Sequence, residues 1–207
     1  MLFLIGTALA GALVFGAAAV CGLLAATALL PRLHRFEDGP APFHVHPGWI
    51  VGAGALLGAI LALKHVPLGA FAIAGVVVVA LVGIFECDSR TGIVPDVFTL
   101  VPLAILIGDS LVLHQFVMPA ISALVVFTPF AIAALVTRGH GMGWGDAKLA
   151  ALGGALLGMF AATLSFGIAS LAAVIVTSIK YRSKAVPVAF APYLVGAIAV
   201  SMALQAR

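Results

Sequence analysis

Charge is what this chain has least of: ten Lys and Arg and seven Asp and Glu among 207 residues, 8% in all. A soluble globular domain carries about 25%, so an ordinary soluble fold is excluded. The net charge of +3 does not point to a nucleic-acid partner, because the basic residues are scattered over short connections and form no continuous patch. Cysteine is nearly as scarce. Cys21 and Cys87 lie in or beside separate apolar runs and make no CxxC pair, which indicates neither a thiolate zinc site nor a disulfide framework. The first apolar run, 2–30, has no basic leading region and no small-residue cleavage site, so it reads as a retained span and not a secretory signal. Internal repeats, low-complexity segments and inserts the size of a soluble domain are also missing.

What is abundant is apolar sequence, 64% of the chain. A spanning helix takes roughly 17–25 apolar residues. Runs approaching that length occupy 2–30, 49–63, 68–85, 97–113, 116–136, 149–179 and 186–204. The expectation is an all-α, polytopic helical membrane protein, one membrane domain over 1–207. As a single helix the run 149–179 would be about 46 Å long at ~1.5 Å per residue, too long for one crossing and short for two. Basic residues decide its course, since they favour the cytoplasmic side. With the N-terminus outside, Arg32, Arg35, Arg90, Arg138 and Lys148 fall on cytoplasmic connections, and Lys180, Arg182 and Lys184 join them only if the run turns back near Gly158. The reading is therefore eight membrane segments, a short sixth one, and both termini outside. Eight of ten basic residues then lie inside, with Lys64 and Arg207 as exceptions.

Two acids stand out against this background. In 139–148, Gly-His-Gly-Met-Gly-Trp-Gly-Asp-Ala-Lys, a glycine-rich turn delivers Asp146 to the mouth of an apolar segment. A charged side chain near hydrocarbon costs about 2.5–3.5 kcal/mol on insertion scales and calls for a partner. Asp88 likewise sits where an apolar run ends, and the topology puts both acids on the cytoplasmic side, where Cys87 and Ser89 are also expected to be reachable. Irregular backbone at membrane depth is tolerated where it is buried in protein or lines a wet cavity, which is how the glycine-rich turn reads. Two carboxyls held together share one proton. The ionised one takes a proton from water while its partner donates to a carbonyl oxygen, and peptide hydrolysis by such a pair needs neither metal nor cofactor.

Plainer roles exist for the same residues. Asp146 suits the cap of a helix starting near Ala147, and Asp88 suits an ion pair with Arg90. Asp96, after Pro95, reads as a turn or N-cap residue of the fourth span. Lys148 reads as an interfacial cation, or as a group that tunes Asp146 or meets an acid on a substrate. Glu37, Asp38, His44 and His46 share one Pro-rich loop, but their spacing fits no standard metal site. His140 reads as a solvated loop residue and Asp109 as an interfacial acid near the outer end of the fourth span.

The residues around both acids resemble the motifs of the type IV prepilin peptidase family. Asp88-Ser-Arg-Thr-Gly-Ile-Val-Pro95-Asp96 is similar to the first, an Asp followed by an aliphatic-Pro-Asp step. Gly143-Trp-Gly145-Asp146-Ala-Lys148-Leu149 is similar to the second, GxGD followed by Lys-Leu. The stretch 187–193, Pro-Val-Ala-Phe-Ala-Pro-Tyr, resembles the start of the family's last span, so the resemblance runs from about residue 68 to the C-terminus. It implies a GxGD-type aspartic endopeptidase of the inner (cytoplasmic) membrane that removes the basic leader from prepilins or pseudopilins at the cytoplasmic face. Asp88 and Asp146 match the catalytic pair, and Gly143 and Gly145 the glycines that let backbone approach the cleaved strand. Lys148, Pro95 and Asp96 fall in the matching motifs as site-shaping or substrate-binding residues. Larger members carry a cytoplasmic loop with paired CxxC motifs and also methylate the new N-terminus. Here the corresponding loop, 31–48, is short and has no cysteine, so a protease-only member without a cofactor is expected. Its partners are then the precursor substrate and the lipid bilayer. Two rival readings stay open: a preflagellin-type peptidase, separated by substrate alone, and a proton-coupled transporter using the same two acids as proton carriers.

Overall fold

The computed structural model describes residues 2–33, 45–138, 142–181 and 189–205, and all regular structure among them is helical. In chain order the helices are α1 (Leu2–Leu29), α2 (Pro47–Leu63), α3 (Leu68–Thr91), α4 (Asp96–Val112), α5 (Val117–Val136), α6 (Trp144–Leu157), α7 (Met159–Tyr181) and α8 (Ala191–Gln205). A short 3-10 turn, Leu30–Arg32, follows α1. The helices α1, α3, α5 and α7 are each long and apolar enough to cross a bilayer, and α2 and α8 are shorter apolar helices. The outside of the bundle is apolar as well: Leu13, Leu68, Val136 and Phe160 are all exposed. A continuous apolar exterior is a surface for lipid, and the chain is a polytopic helical membrane protein.

Small residues let these helices approach closely, which is how helices associate where lipid removes the hydrophobic drive between them. The backbones of α1 and α2 touch at Gly11 and Gly58. Phe15 of α1 then packs on Phe71 of α3, ring centroids 4.8 Å apart. The most enclosed helix is α6, which buries Ala147, Leu149, Ala150 and Leu152 and touches α4, α5, α7 and α8. A helix apolar on every side belongs inside. Its 14 residues extend about 21 Å, short of the ~30 Å hydrocarbon core.

The expected break in the run 149–179 falls at Gly158, whose φ of +80° is open to glycine and strained for any other residue. Beyond it the chain folds back. Gly153 packs against the ring of Phe166, although a continuous helix would hold two residues so spaced about 20 Å apart. Lys64, an exception in the charge count, ends α2 and donates Nζ to the Ala203 and Leu204 carbonyls of α8, at 2.9 and 3.2 Å. A cation there satisfies open carbonyls and the negative end of the helix dipole. The C-terminal ends of α2 and α8 thus share one end of the bundle. The C-terminal end of α3 and the starts of α4, α6 and α8 gather at the other.

Candidate active site

The apolar run that begins α3 stops at Phe85, but the helix continues to Thr91 and carries Asp88 within its last turn. Local bonds sustain it: Ser89 Oγ donates to the Glu86 carbonyl at 3.2 Å and Thr91 Oγ1 to the Cys87 carbonyl at 2.7 Å. Glu86 and Arg90 add an ion pair at the i,i+4 spacing that a helix favours. Gly92, left-handed at φ 73°, ends α3 by donating its N–H to the Asp88 carbonyl. This turn is buried, Cys87 completely and Ser89 to 2% exposure, so, contrary to the expectation, neither is reachable from solvent. The reason is the extension of α3 by nearly two turns beyond Phe85, which carries both into the packed bundle.

The second acid hangs from α6. That helix starts at Trp144, earlier than expected, with extended Gly143 in the cap position, which makes Asp146 its third residue. Asp146 Oδ2 accepts the Gly143 N–H at 3.3 Å, so it serves the helix start as well as facing the site. Gly145 lies against the α3–α4 connection. A Cβ there would sit 2.6 Å from Val94 Cβ, so the close approach this glycine permits is to Val94.

These two segments bring the acids together. Asp88 is 5% exposed and Asp146 8%. Asp146 is the charged group that acts on Asp88, and the Ala191 N–H at the start of α8 also faces the Asp88 carboxyl. Asp88 Oδ2 is buried with no hydrogen-bond partner among the described residues. The neighbouring cations are committed elsewhere. Arg90 pairs with Glu86, not with Asp88, and Lys148 Nζ pairs with Asp96 Oδ1 at 2.6 Å. Among the described residues neither Asp88 nor Asp146 has an ion-pair partner. Burying a carboxylate without a counter-charge costs several kcal/mol, so two within reach of each other's charge are not accounted for by stability alone, even with Asp146 capping α6. Such a pair suits proton exchange with a third molecule, one carboxyl accepting while the other donates.

Other residues singled out in the sequence take different places. Pro95 holds the N-cap position of α4 and Asp96 follows it as the first helical residue, with its side chain turned to Lys148. Asp96 is therefore not an N-cap, because its carboxylate has a charged partner in place of a backbone N–H. Asp109 is exposed at the far end of α4. His46 caps α2 by accepting the Gly48 N–H on Nδ1 at 3.1 Å. Glu37, Asp38 and His44, most of the loop 31–48, Gly139, His140 and Gly141, and Pro187 and Val188 lie outside the described residues. An apolar cavity of about 270 Å³ between α2, α3 and α8 is lined by Trp49, Leu57, Val82, Phe85 and Val195, and neither acid lines it. The buried Glu86 was missed, though its spacing to Arg90 is a signal the sequence contains.

Residues 75–178, which include both acids, match the type IV leader peptidase family. No curated protein and no solved structure matches the chain.

Proposed function

This chain belongs to the type IV leader peptidase family and is a protease, and we propose that it is an aspartic endopeptidase that removes the basic leader from prepilin or pseudopilin precursors at the cytoplasmic membrane face. One observation carries the aspartic assignment: two buried carboxyls on separate helices lie near enough for the charge of Asp146 to act on Asp88, without a cation for either among the described residues. Sharing one proton, the pair supplies both catalytic roles. The ionised carboxyl takes a proton from a water molecule as its oxygen attacks the scissile carbonyl carbon, and the protonated carboxyl gives its proton to the carbonyl oxygen. The tetrahedral diol then collapses: the first carboxyl gives its proton to the leaving amine as the C–N bond breaks, and the second carboxylate takes a proton back from one diol hydroxyl, which leaves the new carboxylic acid and restores the shared proton.

The distribution of charge supports this orientation. Among the described residues Arg32, Arg90, Arg138 and Lys148 lie in or beside the helix ends that gather around the acids, and Lys64 lies at the opposite end. Basic residues favour the cytoplasmic side, which is where a precursor with its apolar stem in the bilayer keeps a basic leader.

Asp88→Asn and Asp146→Asn test the assignment, since each keeps size and some hydrogen bonding but removes a proton-transfer role. Coexpressed with a prepilin, each variant should insert normally and leave the precursor at its full mass. Near-normal leader removal by either variant would overturn the aspartyl reading.

A further inference from the structure

The two acids are carried by segments distant in sequence, so something must fix their separation. Of the contacts that hold the α3–α4 connection and the start of α4 against the start of α6, two lie beside the motif residues. One is the approach of Gly145 to Val94. The other is the ion pair of Lys148 Nζ with Asp96 Oδ1, 2.6 Å long and spanning 52 residues of chain. Lys148 stands two residues beyond Asp146, and Asp96 stands in the first turn of the helix that follows Asp88. The pair lies at the rim of the bundle, with side-chain exposures of 30% for Lys148 and 60% for Asp96.

We propose that Asp96 and Lys148 form a positioning latch that sets Asp146 against Asp88, and that neither acts on the substrate. This rests on the aspartyl reading above. An ion pair so exposed adds little to folding stability, so its removal leaves the bundle intact. Catalysis is far more sensitive than stability to placement, since a misplacement of ~1 Å costs on the order of 10²-fold in rate. The residue types fit a latch of this kind. Arg90, the other cation near the α3–α4 connection, is held by Glu86, which leaves Asp96 to Lys148 among the described residues. The other contact, Gly145 on Val94, sets how near the segments come but carries no direction. The ion pair resists sliding of one past the other.

The test measures kcat and KM separately for a prepilin substrate with the purified full chain, as wild type, Asp96→Asn, Lys148→Gln, the double variant and Lys148→Arg. Each single charge removal should lower kcat by about tenfold with KM changed less than about twofold, because the acids and not the substrate are displaced. The double variant should be no slower than either single one, since the pair acts as a unit, and Lys148→Arg should keep most of the rate. Raising the salt concentration should slow wild type and leave the double variant unchanged, as an exposed pair is screened. The latch is overturned if either single variant keeps the wild-type kcat, if the two losses multiply in the double variant, or if the change is confined to KM. It is equally overturned if activity and thermal stability fall together, which makes the pair structural. Asp88→Asn and Asp146→Asn run beside them separate the two ideas: activity in these refutes the aspartyl pair, whereas inactivity in these with full-rate latch variants refutes the latch alone.

Discussion

Gly145→Ala is the sharpest probe of how the two motif segments meet. The added Cβ would lie 2.6 Å from Val94 Cβ, 3.2 Å from Cγ2 and 3.4 Å from Cγ1. Ordinary contact begins at 3.4 Å, so the nearest pair is 3.4 − 2.6 = 0.8 Å too close. The nearest atom is a Cβ fixed to backbone, which no rotamer change can move. The GxGD turn must therefore retreat from the α3–α4 connection by most of an ångström and take Asp146 with it. Overpacking of this kind costs about 1–3 kcal/mol in stability, while the rate should fall more steeply, by something approaching 10²-fold for ~1 Å of misplacement. The assay is a time course of leader removal from a prepilin in isolated membranes, read by mass, with a thermal melt of each variant in detergent alongside. A second substitution sharpens it. Val94→Ala keeps the offending Cβ and should not restore Gly145→Ala, whereas Val94→Gly removes that atom and should restore part of the rate. Wild-type speed for Gly145→Ala, or equal rescue by both partners, would refute the reasoning.

What a single sequence revealed here and what it hid divide along physical lines. Helices and their number were legible because lipid imposes a length and an apolar composition on each segment, and the break at Gly158 because a 31-residue run fits neither one crossing nor two. The acids were legible because charge in an apolar chain is rare enough to be conspicuous. The end of α3 was not, since hydropathy stops at Phe85 while hydroxyls at Ser89 and Thr91 carry the helix nearly two turns further. Ion-pair partners divided in the same way. Arg90 had Asp88 two residues before it and Glu86 four before it, and only the second spacing shares a helix face. The i,i+4 rule decides that case, but no periodicity announces Lys148 with Asp96 across 52 residues. Gly145 shows a related limit. A glycine in a turn signals a close approach, yet the sequence does not name the neighbour, and the neighbour is Val94.

The remaining predictions concern the frame around the site. Gly158→Ala should lower the melting temperature in detergent, because φ of +80° strains any side chain by about 1–2 kcal/mol, while Gly167→Ala, helical with nothing within 4 Å of the new Cβ, should leave it unchanged or raise it. Equal effects of the two would remove the strained turn from the account of the hairpin. Arg138 and Gln115 flank α5, whose 20 residues span about 30 Å, the thickness of the hydrocarbon core, so they should open to opposite sides of the membrane. Cys87 is fully buried, which makes a Cys21→Ser chain a silent background for thiol labelling until it is denatured. In that background Arg138→Cys should react with a membrane-impermeant maleimide from the cytoplasmic side, as the positive-inside rule demands of the end that carries the acids, and Gln115→Cys only from the opposite side. Labelling of both from one side would mean that α5 does not cross. Labelling of Arg138→Cys only from outside would place Asp88 and Asp146 on the face where no basic leader waits, and the substrate proposed for them would have to be abandoned.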